Sequence, residues 1–187
     1  MTSTMRERIV ESAAVMTAES GWSGVTMAAL AERVGVSRQT VYNEIGTKPG
    51  LAEMMILHEL DRFLGVVTLA FDEHPADLVG AIRAASAGVL DLAQDNLLLH
   101  AVVSATHGAD TELLPLLTTH AESLLAAAKL VVAERIAPYD VGLAGRHLDA
   151  AIDMVVRVVL SHVMQPSDSP QRTADDIAWI SARVLRP

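Results

Sequence analysis

The stretch Thr26-Met-Ala-Ala-Leu-Ala-Glu-Arg-Val-Gly-Val-Ser-Arg-Gln-Thr-Val-Tyr-Asn-Glu-Ile45 decides how the chain is read. It encodes two short helices joined by a tight turn. Thr26 and Ser37 are N-cap residue types, whose side-chain oxygens accept from the unpaired amides of a helix's first turn. Leu30 and Val34, four apart, form the inner face of the first helix. Ala31 is small where a second helix must cross closely. Gly35 stands where the turn needs a left-handed backbone, which glycine reaches without steric penalty. Val36 fills the space beneath the turn, and Val41 and Ile45 direct the second helix back onto the core.

At about 100° per residue, an inward Val41 places Gln39 and Asn43 nearly opposite it. Both then lie on the most exposed line of the second helix. Amide side chains can pair bidentately with adenine in the major groove. Arg38, in the first turn, reaches guanine or phosphate, and Thr40 and Tyr42 flank the line with groups suited to phosphate oxygens or a thymine methyl. The competing reading is an ordinary solvated helix face. Against it, the small residue, the glycine, the cap and the inward apolar positions all fall in register.

Outward from this stretch, apolar spacing predicts helix almost everywhere, and no alternating segment bounded by turns asks to be a strand. A first helix carries Ile9, Val10, Ala13, Ala14 and Met16 inward and ends at Gly21. Pro49-Gly50 opens a longer helix to about Phe71. Asp77 caps another to about Leu92, and further helices follow over Asn96–His107, Glu112–Ala137, Leu143–Met164 and Gln171–Leu185. The expectation is an all-α protein of about nine helices, with a boundary after Lys48 that separates residues 1–48 from 49–187.

Composition narrows the possible functions. The 187 residues include no cysteine, which removes disulfides, thiolate metal sites and cysteine nucleophiles together, and fits a cytoplasmic protein. Hydrophobic residues make up 51% of the chain but aromatics only 3%, so the core is aliphatic. The net charge of −9, taken as a whole, opposes a polyanion partner. Residues 1–50, however, hold five basic and five acidic side chains, so the whole excess lies beyond them. A neutral head on an acidic body would repel DNA everywhere except where the head points. The longest run without a formal charge, Asn96 to Ala109, is fourteen residues. That is short of the roughly 20 needed to span a bilayer, so no membrane segment is expected. The polar stretch 1–11 is not expected to be a secretory signal.

The pairs Ile9-Val10 and Ala13-Ala14, then Gly21-Trp22, Val25-Thr26, Leu30-Ala31, Val34-Gly35-Val36-Ser37, Val41-Tyr42 and Lys48 together resemble the N-terminal domain of TetR-family transcriptional regulators. The resemblance covers about the first 50 residues. It implies three DNA-binding helices, a regulatory domain of about six, and a homodimer on a palindromic double-stranded operator, released by a small hydrophobic effector. Carried over by position, it makes Thr26, Ser37, Tyr42 and Lys48 backbone contacts and turns Arg38, Gln39, Thr40 and Asn43 toward the groove. Lys48 also fits physically, because it opens a helix whose free N–H groups favour a phosphate. Val41 through Lys48 is similar to a subgroup of actinobacterial regulators associated with alkane and lipid metabolism. The chain departs from the family at Glu44-Ile45, where a His or Tyr followed by Phe is usual. Glu44 repels phosphates unless it pairs with a neighbour or accepts from a cytosine amino group. Pro49-Gly50 is a second departure.

The resemblance also implies a ligand pocket and a dimer interface in residues 49–187. For the pocket, Phe63, Leu97, Val103, Leu117 and Leu124 offer apolar walls, and Arg83, His100 and His107 offer polar contacts. Scarce aromatics point to an aliphatic ligand rather than a flat cation. The same aliphatic side chains also suit plain core, Arg83 an exposed surface, and the histidines satisfied or solvated positions. For the interface, Leu148, Ile152, Val155 and Val159 form one stripe, with Ile177 and Val184 on the last helix. A monomer core is the competing reading, since Ala151, Met154 and Val158 widen the apolar surface around the helix.

An enzyme is not expected. No Glu is followed three residues later by His, as a carboxylate-bridged metal bundle requires. There is also no nucleophile elbow, zinc-protease motif or phosphate loop, and no cofactor or metal is implied. The remaining alternative is a helical interaction module whose helix-turn-helix no longer binds DNA, for which Glu44 is the best support.

Overall fold

The computed structural model describes residues 4–100 and 114–185, with the backbone alone for 114–121. Among the described residues every regular element is a helix. In order they are α1 (Met5–Gly24), α2 (Met27–Val34), α3 (Arg38–Ile45), α4 (Lys48–Glu73), α5 (Leu78–Gln94), a helical turn at 97–100, α6 (Leu114–Ile136), α7 (Arg146–Met164) and α8 (Pro170–Val184). The fold is all-α, as the periodicity predicts.

Local chemistry accounts for most of the boundaries. Thr4 opens α1 with a reciprocal capping box: its hydroxyl accepts from the Glu7 amide, and the Glu7 carboxylate accepts from the Thr4 amide. Gly21 breaks that helix with φ 74° and ψ 163°, but helical turns resume through Gly24, slightly beyond the end the sequence suggests. Asp77 caps α5 through the Gly80 amide at 2.9 Å, and Ser169 caps α8 ahead of Pro170.

The chain divides into two compact units. One comprises residues up to Leu60 with the segment that begins at Asn96; the other comprises Asp61–Asp95 with the segment from Glu122 onward. In the first, α1 contributes Ile9, Val10, Ala13 and Met16 to a core closed by Leu30, Val41, Leu51, Met55 and Leu98. Burying each of these side chains larger than alanine contributes about 1.5–3 kcal/mol. This core sets the angle at which α2 and α3 meet.

In the second unit α5 packs along α8, and Phe71, Ile82, Ile136, Ile152, Val156 and Ile177 form the centre. Tyr139 pins the end of α4: its hydroxyl donates to the His74 carbonyl at 2.9 Å and its ring meets Phe71 edge-on at 6.0 Å. Burial there pushes the Tyr139 phenol above its ordinary pKa. Of the stripe assigned to a dimer face, Ile152 and Ile177 are buried in this centre, and Leu148, Val155 and Val159 pack against it. The open side of α7 carries Met154 and Val158 instead, and α8 exposes Trp179, Ile180 and Val184. The reason is the broad apolar circumference of α7, whose more continuous ridge fits the α5 and α8 surface.

Candidate nucleic-acid interface

The turn between α2 and α3 is built by caps on both sides. The Thr26 hydroxyl accepts from the Ala29 amide at 3.1 Å and starts α2. Gly35, with φ 77° and ψ 37°, ends it. The Gly35 amide donates to the Glu32 carbonyl and the Val36 amide to the Ala31 carbonyl at 2.9 Å, a Schellman closure. Ser37 then accepts from the Thr40 amide at 3.0 Å and starts α3, and its hydroxyl also bonds the Thr40 hydroxyl at 2.9 Å.

Two arginines of α1 brace the ends of α2 and α3. Arg8 donates to the Val34 carbonyl at 3.3 Å, where α2 leaves acceptors unpaired. Arg6 donates to the Glu44 carbonyl at 3.2 Å and brings its guanidinium 3.7 Å from the Glu44 carboxylate. Glu44 therefore has the neighbouring partner that would offset its repulsion of phosphates. Arg33 forms a two-pronged pair with Glu19 at 2.5 and 3.0 Å, which ties α2 to α1 and holds the Glu19 carboxyl below its usual pKa.

With Val41 and Ile45 buried, Ser37, Arg38, Gln39, Tyr42 and Asn43 are exposed along α3, and Thr40 is half-buried. Gln39 and Asn43 lie on one line and engage each other, the Gln39 amide donating to Asn43 Oδ1 at 2.9 Å. Lys48 sits at the start of α4, where Thr47 caps the Gly50 amide. Its ammonium donates to the Trp22 carbonyl at 2.9 Å and lies 4.8 Å above the Trp22 ring, so it is anchored across the kink of α1. The bracing by Arg6 and the Lys48–Trp22 anchor lie outside the sequence reading. Both join positions 26 or more apart, and no local spacing announces them.

The other named positions are dispersed. Phe63 lines a cavity of about 100 Å³ in the second unit. Arg83 is exposed and paired with Asp175, lining neither of the two cavities described for that unit. Leu97 and His100 are exposed in the first unit. Leu124 is half-buried. Val103 and His107 lie outside the described residues, as does the side chain of Leu117.

A short capped helix, a left-handed glycine turn and a second helix with an exposed polar line on a rigid three-helix core define a helix-turn-helix DNA-binding protein. Residues 9–55 match the family model described as bacterial regulatory proteins, tetR family, and residues 77–183 match that of the bacterial tetracycline repressor C-terminal domain. The chain belongs to the TetR family of transcriptional regulators, whose members bind DNA and are not enzymes. It is 25% identical over 184 residues to the HTH-type transcriptional regulator AlkX of Mycobacterium tuberculosis, covering 98% of this chain and 84% of that protein. The crystal structure of the TetR-family repressor AlkX from Dietzia sp., implicated in biodegradation of n-alkanes, superposes with a TM-score of 0.72 at 25% identity, covering 96% of this chain and 94% of that one. FadR of Bacillus subtilis, solved in complex with stearoyl-CoA, shares the fold with a TM-score of 0.64 at 15% identity over 96% and 98% of the two chains.

Proposed function

We propose that the protein is a dimeric repressor that reads a palindromic operator through α3 and is released by an aliphatic effector held in its C-terminal unit. The observation that carries the DNA-reading part is the exposed line of Arg38, Gln39, Tyr42 and Asn43 beside a Glu44 already paired with Arg6. Gln39 and Asn43 read base edges. Ser37, Thr26 and Lys48 contact the backbone, and the α4 N-terminus supports Lys48 there.

Dimerisation is supported by the outward Met154, Val158, Trp179, Ile180 and Val184, a set of large apolar side chains on two neighbouring helices. An aliphatic effector is supported by the cavity at Phe63, whose walls are hydrophobic apart from Ser86. The description of AlkX as implicated in n-alkane degradation and the stearoyl-CoA bound to FadR point the same way. Among the described residues no helix is long and apolar enough to cross a membrane. A cytoplasmic site of action follows from the DNA partner.

The test is a gel-shift titration against the promoter region beside the protein's own gene. Binding should weaken steeply with salt, because displaced counterions drive it. Gln39→Ala and Asn43→Ala should each reduce discrimination between operator and random DNA by about 1–3 kcal/mol. Lys48→Ala should weaken both about equally. A change of sequence preference in Lys48→Ala alone would overturn the assignment of the reading face. Absence of binding to any neighbouring promoter would favour a protein-interaction role.

A further inference from the structure

One polar side chain of α5, Ser86, lines the cavity at Phe63. It is 4% exposed, and its hydroxyl has no hydrogen-bond partner among the described residues. Unlike the Ser181 oxygen, which is sealed within the packing, the Ser86 oxygen keeps some surface, and the cavity is what it lines. A helical serine ordinarily satisfies itself by donating to the carbonyl one turn back, as Ser20 does to Met16 at 2.9 Å. Leaving a buried hydroxyl unpaired is unfavourable, and each case calls for a cause. Water answers it poorly, because a water molecule needs two to four polar partners and the other lining side chains are hydrocarbon.

We propose that the occupant of this cavity is an aliphatic alcohol, aldehyde or ketone whose single uncharged oxygen pairs with Ser86. The inference deepens the reading of the cavity as the effector site and rests on it. A serine hydroxyl both donates and accepts, so it suits an alcohol or a carbonyl. Among the described residues that line the cavity none carries a titratable side chain. A carboxylate or phosphate there would be buried without a partner, which is strongly unfavourable. The volume of about 100 Å³ suits a short unbranched chain. None of the outward residues proposed for the dimer face lines this cavity. The larger groove of the unit, about 410 Å³, is walled by Met154, Ile180 and Val184 and so goes with the face proposed for the second copy.

The test is calorimetric titration of the full-length protein with hexanol, with chlorohexane, which has no hydroxyl, and with hexanoate at neutral pH. Hexanol should bind more tightly than hexanoate by about tenfold or more. Ser86→Ala should lower hexanol affinity about fivefold to tenfold, the worth of one neutral hydrogen bond, and leave chlorohexane affinity unchanged. Without ligand, Ser86→Ala should unfold about 2–4 °C above the wild type, because it removes a hydroxyl that has no partner. Val159→Phe, at a half-buried wall position, should block hexanol and chlorohexane alike. Equal hexanol affinity in the wild type and Ser86→Ala, hexanoate binding as tight as hexanol, or a lower midpoint for unliganded Ser86→Ala would overturn the pairing at Ser86, even where chlorohexane binding upholds an aliphatic site. Failure of all three probes to bind, or undiminished binding in Val159→Phe, would overturn the effector site itself and leave operator binding, measured by gel shift, untouched.

Discussion

Replacing Gly35 by alanine isolates the energetic worth of one backbone conformation. The residue holds φ 77°, and a Cβ placed there meets nothing within 4 Å, so the substitution introduces no clash. What remains is the penalty for an L-residue in the left-handed region, about 1–2 kcal/mol. With a urea m-value of about 2 kcal/mol per molar, the midpoint for the N-terminal unit should fall by roughly 0.5–1 M. Gly35→Asn should lose less than half as much, since asparagine tolerates that region. The assay is urea unfolding at fixed protein concentration in a Trp179→Phe background, where the buried Trp22 reports on the unit that contains the turn. Folded Gly35→Ala protein should still bind operator, because the Schellman bonds involve only backbone atoms. Equal midpoints for glycine and alanine, or an asparagine variant as unstable as the alanine one, would refute the reasoning.

Other substitutions separate the remaining claims. Arg6→Ala should weaken operator binding about twofold to fivefold, in keeping with an exposed ion pair, and adding Glu44→Gln should recover most of the loss in the same gel shift; no recovery would mean that Arg6 acts by contacting DNA itself. Asp153 accepts from Lys129 at 2.8 Å and Arg157 at 2.7 Å, bonds that hold its carboxyl below the usual range. Its contribution to stability is therefore complete above the ordinary aspartate pKa and lost as pH falls through the lowered one. Thermal unfolding of Asp153→Asn should accordingly approach that of the wild type as acid is added. Ile152→Ala should destabilise the C-terminal unit by about 2–5 kcal/mol in urea. Met154→Lys, two positions further on and largely exposed, should leave the fold within about 0.5 kcal/mol and shift sedimentation from dimer toward monomer.

Which of these features could be read in advance follows from the range over which their causes act. Thr26, Gly35 and Ser37 announce themselves because a cap or a left-handed turn is settled within three or four residues. The inward Val41 and Ile45 fix the opposite line by helical geometry, so Gln39 and Asn43 follow. Asp77 and Gly21 are legible for the same reason. The Arg6–Glu44 brace joins residues 38 apart and depends on how α1 crosses α3, which no spacing encodes. The side of α7 that faces inward was equally hidden. A helix apolar on several sides offers more than one stripe, and only the surface of its neighbours chooses Ile152 and Val156 for the core over Met154 and Val158. Arg83 reads in sequence as either a ligand contact or a surface arginine, and the partner that holds it at the surface, Asp175, stands 92 positions away.

The bond between Gln39 and Asn43 bears on how the protein searches a genome. Two amides that already satisfy each other add nothing to adhesion on arbitrary DNA, so transit along it is governed by the charged contacts alone. At a matching base pair the gain is only the excess of the new bonds over the one given up. That subtraction is made only where the pair opens: it shortens residence at matching sites, leaves passage over arbitrary DNA untouched, and so narrows the contrast between right and wrong sites by the worth of one exposed amide bond.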